Sequence, residues 1–177
     1  GADSLGEFFK AFYSALRRYG FIPGVEMLAA MREADAAGAS LVYGDQDARV
    51  TMRELSAALR NPATLIGALR VSPPPELEEI MREAMMGERD GGLENLGDTV
   101  EAMKTRQNAA LMTKWMKESM PDVAEVMIRR RDLHMARNLR GKCGSGKVVA
   151  VVGMAHVDGI EREWQELEST TIKILPN

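Results

Sequence analysis

The sequence predicts an α/β fold that is mostly helical and carries a small, incomplete sheet. Across most of the 177 residues, apolar side chains recur at the spacing of amphipathic helices. Three short apolar runs, at 41–43, 148–152 and 171–175, interrupt the helices and are typical of strands. Three strands of this length form a poor sheet by themselves, so we expect a partner chain or an upstream segment to complete it.

The first part of the chain predicts three helices in succession. The first covers 5–19 and ends at Gly20, and the second covers 23–38, with a glycine near each end. The third begins at Thr51, because Glu54 follows three residues later and completes the pattern of a capping box.

The remaining helices follow a rigid break at the proline-rich segment 72–75. An amphipathic helix begins after this break, and the segment 87–97, rich in glycine and charge, predicts a flexible loop. Two helices are expected over 98–120 and 121–140, the second opened by a proline at its first position. A last helix is expected over 156–167, between the second and third strands.

Composition excludes several classes of protein. The net charge of −3 and the 5% of aromatic residues supply neither a basic surface nor stacking platforms for nucleic acid. No apolar run approaches the roughly 20 residues of a membrane span. The single cysteine, Cys143, excludes an internal disulfide. Thirteen methionines suit adaptable contact surfaces, so we expect protein partners to dock on the methionine-rich helices.

His156 is the most informative single residue. It lies where the predicted strand 148–152 gives way to a helix, a place where imidazole can serve as a metal ligand or a general base. One histidine does not make a zinc site, which needs three or four ligands, so a structural role is the alternative. On the preceding helix, Arg131 and Asp132 either face a site or contact each other, and His134 is expected to be structural.

Two weaker patterns have ordinary explanations. Asp45 and Asp47 flank Gln46 after a strand and could bind a hard cation, or could form a polar turn before a helix. The glycine-rich segment 141–147 has the spacing of a phosphate-binding loop but lacks Ser or Thr after its last lysine. It also follows a helix and opens a strand, so a connecting loop is the better interpretation.

Four short blocks occur in a fixed order along the chain. Gly-Val-Glu-Met opens a helix at 24–27, Gly-Asp-Gln and Val-Thr lie within 44–51, Arg-Asp is at 131–132, and Gly-Met-Ala-His is at 153–156. In order and spacing they resemble the TraB/PrgY/gumN family, to which the Tiki proteases are related. The residues that match the family's motifs are Glu26, Gly44, Asp45, Thr51, Gly153 and Gly159.

The resemblance implies a single α/β domain, of which residues 1–177 would be the C-terminal portion. In Tiki-like members it implies metal-dependent peptide-bond hydrolysis. His156 would then be catalytic or a ligand of a divalent metal, and Arg131 and Asp132 would organise the site. The resemblance also implies an intracellular protein of an organelle, a mitochondrion or chloroplast, associated with a membrane through partners.

Three residues depart from the family's pattern in charge. Gln46 and Glu54 stand where the family has arginine, and Arg130 stands where it has glutamate. The family's first Gly-x-x-His block and early catalytic glutamate have no match here. The first hypothesis is therefore a non-catalytic domain, a pseudoenzyme without a cofactor, that acts as an interaction or structural subunit of a larger assembly. The alternative is a metal-dependent hydrolase whose N-terminal half is absent from this chain.

Overall fold

The described part of the chain is almost entirely helical. A computed structural model describes residues 24–78, 105–143 and 146–174. Its helices, in chain order, are α1 (Val25–Ala36), α2 (Ala48–Ala58), α3 (Pro62–Arg70), α4 (Arg106–Ser119), α5 (Pro121–Ala124), a π-helical turn (Glu125–Arg129), α6 (Arg130–Lys142) and α7 (Met154–Ile174).

The predicted sheet is wrong for this part of the molecule, since no strand occurs among the described residues. Segments 41–43 and 148–152 have no regular secondary structure. Tyr43 is 74% exposed and Val149 is 80% exposed. An apolar run forms a strand only where a neighbouring strand accepts its backbone hydrogen bonds, and none does so within the described ranges.

The third predicted strand, 171–175, is also wrong, because α7 continues through Ile174. Its last predicted residue, Leu175, lies outside the described ranges. β-branched residues lower helix propensity only slightly, and a helix that is already propagating adds a hydrogen bond with each residue. The next proline in the sequence is Pro176, and the helical conformation is disfavoured at the residue that precedes a proline.

Other local predictions are confirmed or corrected by the helix ends. The helix predicted over 23–38 is confirmed as α1, and Pro121 is confirmed at the first position of α5. The capping box is wrong, because α2 begins earlier, at Ala48. The side chain of Asp47 caps α2 by accepting a hydrogen bond from the backbone N–H of Arg49.

Two predicted features lie outside the described residues: the helix over 5–19 and the flexible loop over 87–97. The helix predicted over 98–120 is confirmed for its described part, α4. None of the helices in the described ranges is both long and apolar enough to cross a membrane.

The first hydrophobic cluster lies between α2 and the α5 region. Its buried members are Leu55 and Ala58 of α2 with Val123 and Val126 of α5 and the π-helical turn. Methionine side chains fill the space around this cluster, which their flexible thioethers suit well. Those that pack against it are Met52, Met116, Met120 and Met127.

The second cluster joins α6 to α7 and positions the candidate site. Met135 and Ala136 of α6 are buried against Ile160 of α7, and Leu139 packs at the edge. Val152, directly before α7, also packs here, so one side chain of the predicted strand 148–152 does reach the core. This packing brings the first turns of α6 and α7 side by side.

Candidate functional site

A buried pair of side chains, Asp132 of α6 and His156 of α7, forms the centre of the site. Asp132 is 1% exposed and His156 is 7% exposed. Asp132 Oδ1 lies 2.7 Å from His156 Nδ1. Since a carboxylate only accepts hydrogen bonds, Nδ1 carries the proton and donates it. In the neutral form of the ring, the other nitrogen, Nε2, keeps a lone pair that can bind a ligand or take up a proton.

Two glycines on either side of His156 differ sharply in what surrounds them. A Cβ on Gly159 would overlap the carboxylate of Asp132, so only glycine lets α6 and α7 approach this closely. A Cβ on Gly153 would lie 3.6 Å from Cδ2 of His156, an ordinary contact. The backbone N–H of His156 donates to the Gly153 carbonyl at 2.9 Å, which fixes the first turn of α7.

A second ion pair lies beside the first. Arg131 donates to both carboxylate oxygens of Asp45, from Nε at 3.1 Å and from Nη2 at 2.7 Å. Its Nη1 donates to the Met127 carbonyl at 3.2 Å. Burial raises the pKa of Asp45, but the hydrogen bond and charge of Arg131, the N–H of Gln46 and the charge of His156 outweigh burial and lower the pKa.

The loop before α2 is fastened to α6 at two points. One is the Arg131–Asp45 pair, and the other is Asn138, whose Nδ2 donates to the Gly44 carbonyl at 2.7 Å. Within the loop, Gln46 Nε2 donates to the buried Oγ1 of Thr51 at 3.2 Å. Because these contacts are polar and directional, they fix the position of Asp45 relative to His156.

Most of the residues predicted from the sequence lie together around the α6–α7 contact. They are Gly44, Asp45, Arg131, Asp132, Gly153, His156 and Gly159. Thr51 is connected to them through Gln46. Glu26 is exposed on α1, a helix without a buried residue. His134 is exposed on α6, and Cys143 is a free, half-buried thiol.

The pairing of charges differs from the prediction. Arg131 and Asp132 do not pair with each other, because adjacent helical residues point in different directions, and each finds a partner on another element. Asn138 was missed by the sequence analysis. Its spacing of seven residues from Arg131 places both on one face of α6, and that periodicity is the signal that could have identified it.

Comparison with known proteins decides the family. The model of the TraB/PrgY/gumN family matches residues 12–176. The chain belongs to the TraB/PrgY/gumN family. The resemblance predicted from the four blocks is therefore confirmed, and the match includes every residue of the site described above.

One relative is an uncharacterised protein of the archaeon Methanocaldococcus jannaschii, which is 29% identical over 154 residues. Those residues make up 85% of this chain and 34% of the relative. This TraB-family chain therefore spans about a third of the length of that relative. No solved structure matches the chain.

Two of the three departures from the family pattern compensate each other. Arg130 Nη1 lies 3.3 Å from Glu54 Oε2, so these two residues form an ion pair. In this chain the acid is on α2 and the base is on α6, the opposite of the family pattern. Arg130 also pairs with Glu125 at 3.2 Å. Because arginine and glutamate have changed places, the summed charge of the two positions is that of the family pattern.

The described residues of this TraB-family chain do not fit a complete divalent-metal site. Within the described ranges, no group of three or more His, Cys, Asp or Glu side chains could hold a metal ion. The carboxylates of Asp45, Asp47 and Asp132 are engaged by Arg131, by the N–H of Arg49 and by His156. His156 Nε2 is a suitable donor, but one donor does not hold a metal.

Proposed function

We propose that this TraB-family chain supplies the acid–base group of a hydrolase site. His156 is the group that takes up and returns a proton, and Asp132 holds it in place. The observation that carries the proposal is the buried 2.7 Å hydrogen bond between Asp132 Oδ1 and His156 Nδ1. A histidine fixed in one tautomer by a buried carboxylate is a typical arrangement for general acid–base catalysis.

The chemistry follows from the two ring nitrogens. Nδ1 donates to Asp132, so Nε2 can accept a proton from a water molecule that attacks a carbonyl. The imidazolium that forms is stabilised by the carboxylate of Asp132, and it can then return the proton to the leaving group. Arg131 pairs with Asp45, so Asp132 is hydrogen-bonded to His156 and not to the adjacent arginine.

The substrate class comes from the family resemblance. The related Tiki proteases hydrolyse peptide bonds, and a peptide carbonyl is a suitable electrophile for a water activated by histidine. Glu54 and Arg130 support the assignment, because their reversed ion pair keeps the charge balance of the family pattern.

The test is peptide hydrolysis by the full-length protein, assayed on a peptide library with and without added divalent cations. Removing a general base typically lowers the rate by about 10² to 10⁴-fold, and we expect that loss for His156→Gln. Asp132→Asn should also lose activity, because it no longer holds the tautomer. His134→Gln is the matched control, since this histidine is exposed on α6. A His156→Gln variant as active as the wild type would refute the proposal.

A second function, an interaction or structural subunit of a larger assembly, is favoured by a different observation. Apolar side chains are exposed on segments without regular secondary structure and on α3, where Leu69 is 88% exposed. Val149, in the segment that leads into the site, is 80% exposed. Exposed apolar surface of this kind marks protein contacts.

Sedimentation of the full-length protein tests the second function. An assembly that falls apart in Val149→Lys or Leu69→Lys, with helicity unchanged, would support it. Ala57→Lys, an exposed position on α2, is the control for added charge. A wild-type protein that sediments as a monomer in the presence of its native extract would count against it.

A further inference from the structure

A cavity of about 260 Å³ lies between α4 and the N-terminal turns of α7. Small residues line much of it: Ala110 and Thr113 from α4, with Ala155 and Gly159 from α7. Asp132 also lines the cavity, so a molecule inside it would lie next to the Asp132–His156 pair. The cavity thus borders the proposed acid–base pair, but the proposed chemistry assigns no role to its other lining residues.

The charges around the cavity are unevenly paired. Asp158, which lines it, is paired with Arg106 at 2.5 Å. Arg162, which also lines it, is paired with Glu163 at 3.3 Å. The remaining acidic group in the lining is Asp132, which His156 engages.

Lys114 and Lys117 are the two cations of the lining that take no part in these ion pairs. Both line the cavity, and they lie three residues apart on one face of α4. No carboxylate in the described ranges lies within ion-pairing distance of either ammonium group. Both lysines are exposed, and two positive charges beside one cavity favour an anionic occupant even where water partly screens them.

The first turn of α7 also favours an anionic ligand. Met154 and Ala155 line the cavity and belong to the first turn of α7. Backbone N–H groups of a first helical turn lack partners within the helix, and the helix dipole is positive there. Lys114, Lys117 and the first turn of α7 therefore all attract an anion to the cavity.

The size and the acidic neighbour limit which anion fits. A volume of about 260 Å³ lies just below the usual range of ligand sites, which is about 300 to 1,000 Å³. Because Asp132 borders the cavity, a doubly charged phosphate would bring a second negative charge close to that carboxylate. A carboxylate carries one charge and avoids most of this repulsion.

We propose that the cavity binds the carboxylate group of a small ligand, with Lys114 and Lys117 as its counter-charges. The ligand is a compact molecule, because the volume of the cavity is only about 260 Å³. Binding alters the surroundings of Asp132, and so it is sensed by His156. The site does not depend on the proposed hydrolysis, since binding is measured directly.

The test uses the histidine signals of the full-length protein as reporters. This chain contributes two imidazoles, those of His134 and His156, and the variants His134→Gln and His156→Gln each remove one ¹H–¹⁵N signal and so assign both. Acetate and trialanine are titrated at constant ionic strength. We expect a saturable shift of the His156 signal while the His134 signal stays in place.

Two variants and one further probe decide the outcome. The double variant K114Q/K117Q should abolish the shift, whereas Lys142→Gln, an exposed lysine at the end of α6, should retain it. Inorganic phosphate should bind at least about tenfold more weakly than trialanine. A shift that persists in K114Q/K117Q, tighter binding of phosphate, or no saturable shift with either carboxylate would overturn the proposal. A failure of peptide hydrolysis would not alter these readouts.

Discussion

The Asp132–His156 and Glu54–Arg130 pairs show how burial changes the stability that an ion pair contributes. The side chains of Asp132 and His156 are 1% and 9% exposed, whereas those of Glu54 and Arg130 are 27% and 48% exposed. A buried charged group that loses its partner has no water to replace it, but an exposed group does. Loss of a partner should therefore cost more at the Asp132–His156 pair than at the partly exposed Glu54–Arg130 pair, where Glu54 Oε2 is buried but Arg130 is half exposed.

The largest expected effect is the loss of the buried carboxylate. Asp132→Ala removes the partner of His156 Nδ1 and leaves a space between α6 and α7. We expect the free energy of unfolding to fall by about 3 kcal/mol, measured by urea denaturation. Asp35→Ala, at an exposed position near the end of α1, is the control and should change it by less than about 0.5 kcal/mol. Equal stability of the two variants would mean that the pair is not buried as described.

The next effect concerns the close approach of the two helices. Gly159→Ala places a methyl group where the carboxylate of Asp132 lies, and we expect a loss of about 1–3 kcal/mol from overpacking. Gly153→Ala is the matched control, because its new methyl group would make only an ordinary contact with His156. Urea denaturation compares the two, and a Gly159→Ala variant as stable as Gly153→Ala would contradict the helix contact.

A smaller effect is expected at the half-exposed Arg131–Asp45 pair. The pKa of Asp45 is lowered on folding, so this carboxylate stabilises the fold above its ordinary pKa of 3.8, and the contribution is lost as the pH falls through the lower folded value. Asp45→Asn should therefore be less stable than the wild type at neutral pH, by under about 1 kcal/mol. The difference should shrink on acidification below about pH 4. If the difference in the free energy of unfolding between the wild type and Asp45→Asn grew at low pH, the pKa of Asp45 would be raised on folding, and the prediction would be refuted.

The smallest effect is expected at the partly exposed Glu54–Arg130 pair. Glu54→Arg and Arg130→Glu should each cost less than about 1 kcal/mol, and the double variant should recover part of the loss. Recovery is partial because Arg130 also pairs with Glu125. A double-mutant cycle in urea should give a coupling energy of about 0.5 kcal/mol. Strictly additive losses would show that the two residues do not interact.

Local features of the fold were predictable because they depend on neighbours in sequence. The glycines around α1 and the proline at the start of α5 set the helix ends without help from the rest of the chain. The strand predictions for 148–152 and 171–175 failed because a strand needs a partner that the sequence does not specify. The capping box at Thr51 failed because Asp47 provided an earlier cap.

The members of the site were predictable, but their pairing was not. His156, Arg131 and Asp132 stood out by position and by family pattern. Asp45 pairs with Arg131 across 86 residues, and His156 pairs with Asp132 across 24 residues. Such pairs are set by which helices pack together, and this is a property of the folded chain.

The π-helical turn Glu125–Arg129 gives α6 its orientation. An α-helix rotates about 100° with each residue, and a π-helical turn accommodates one residue more than an α-helical turn of the same rise. Every side chain after the turn is therefore rotated relative to an uninterrupted helix. The same sequence wound as an uninterrupted α-helix would therefore turn Asp132 away from His156, and the π-helical turn is what keeps the two side chains facing each other.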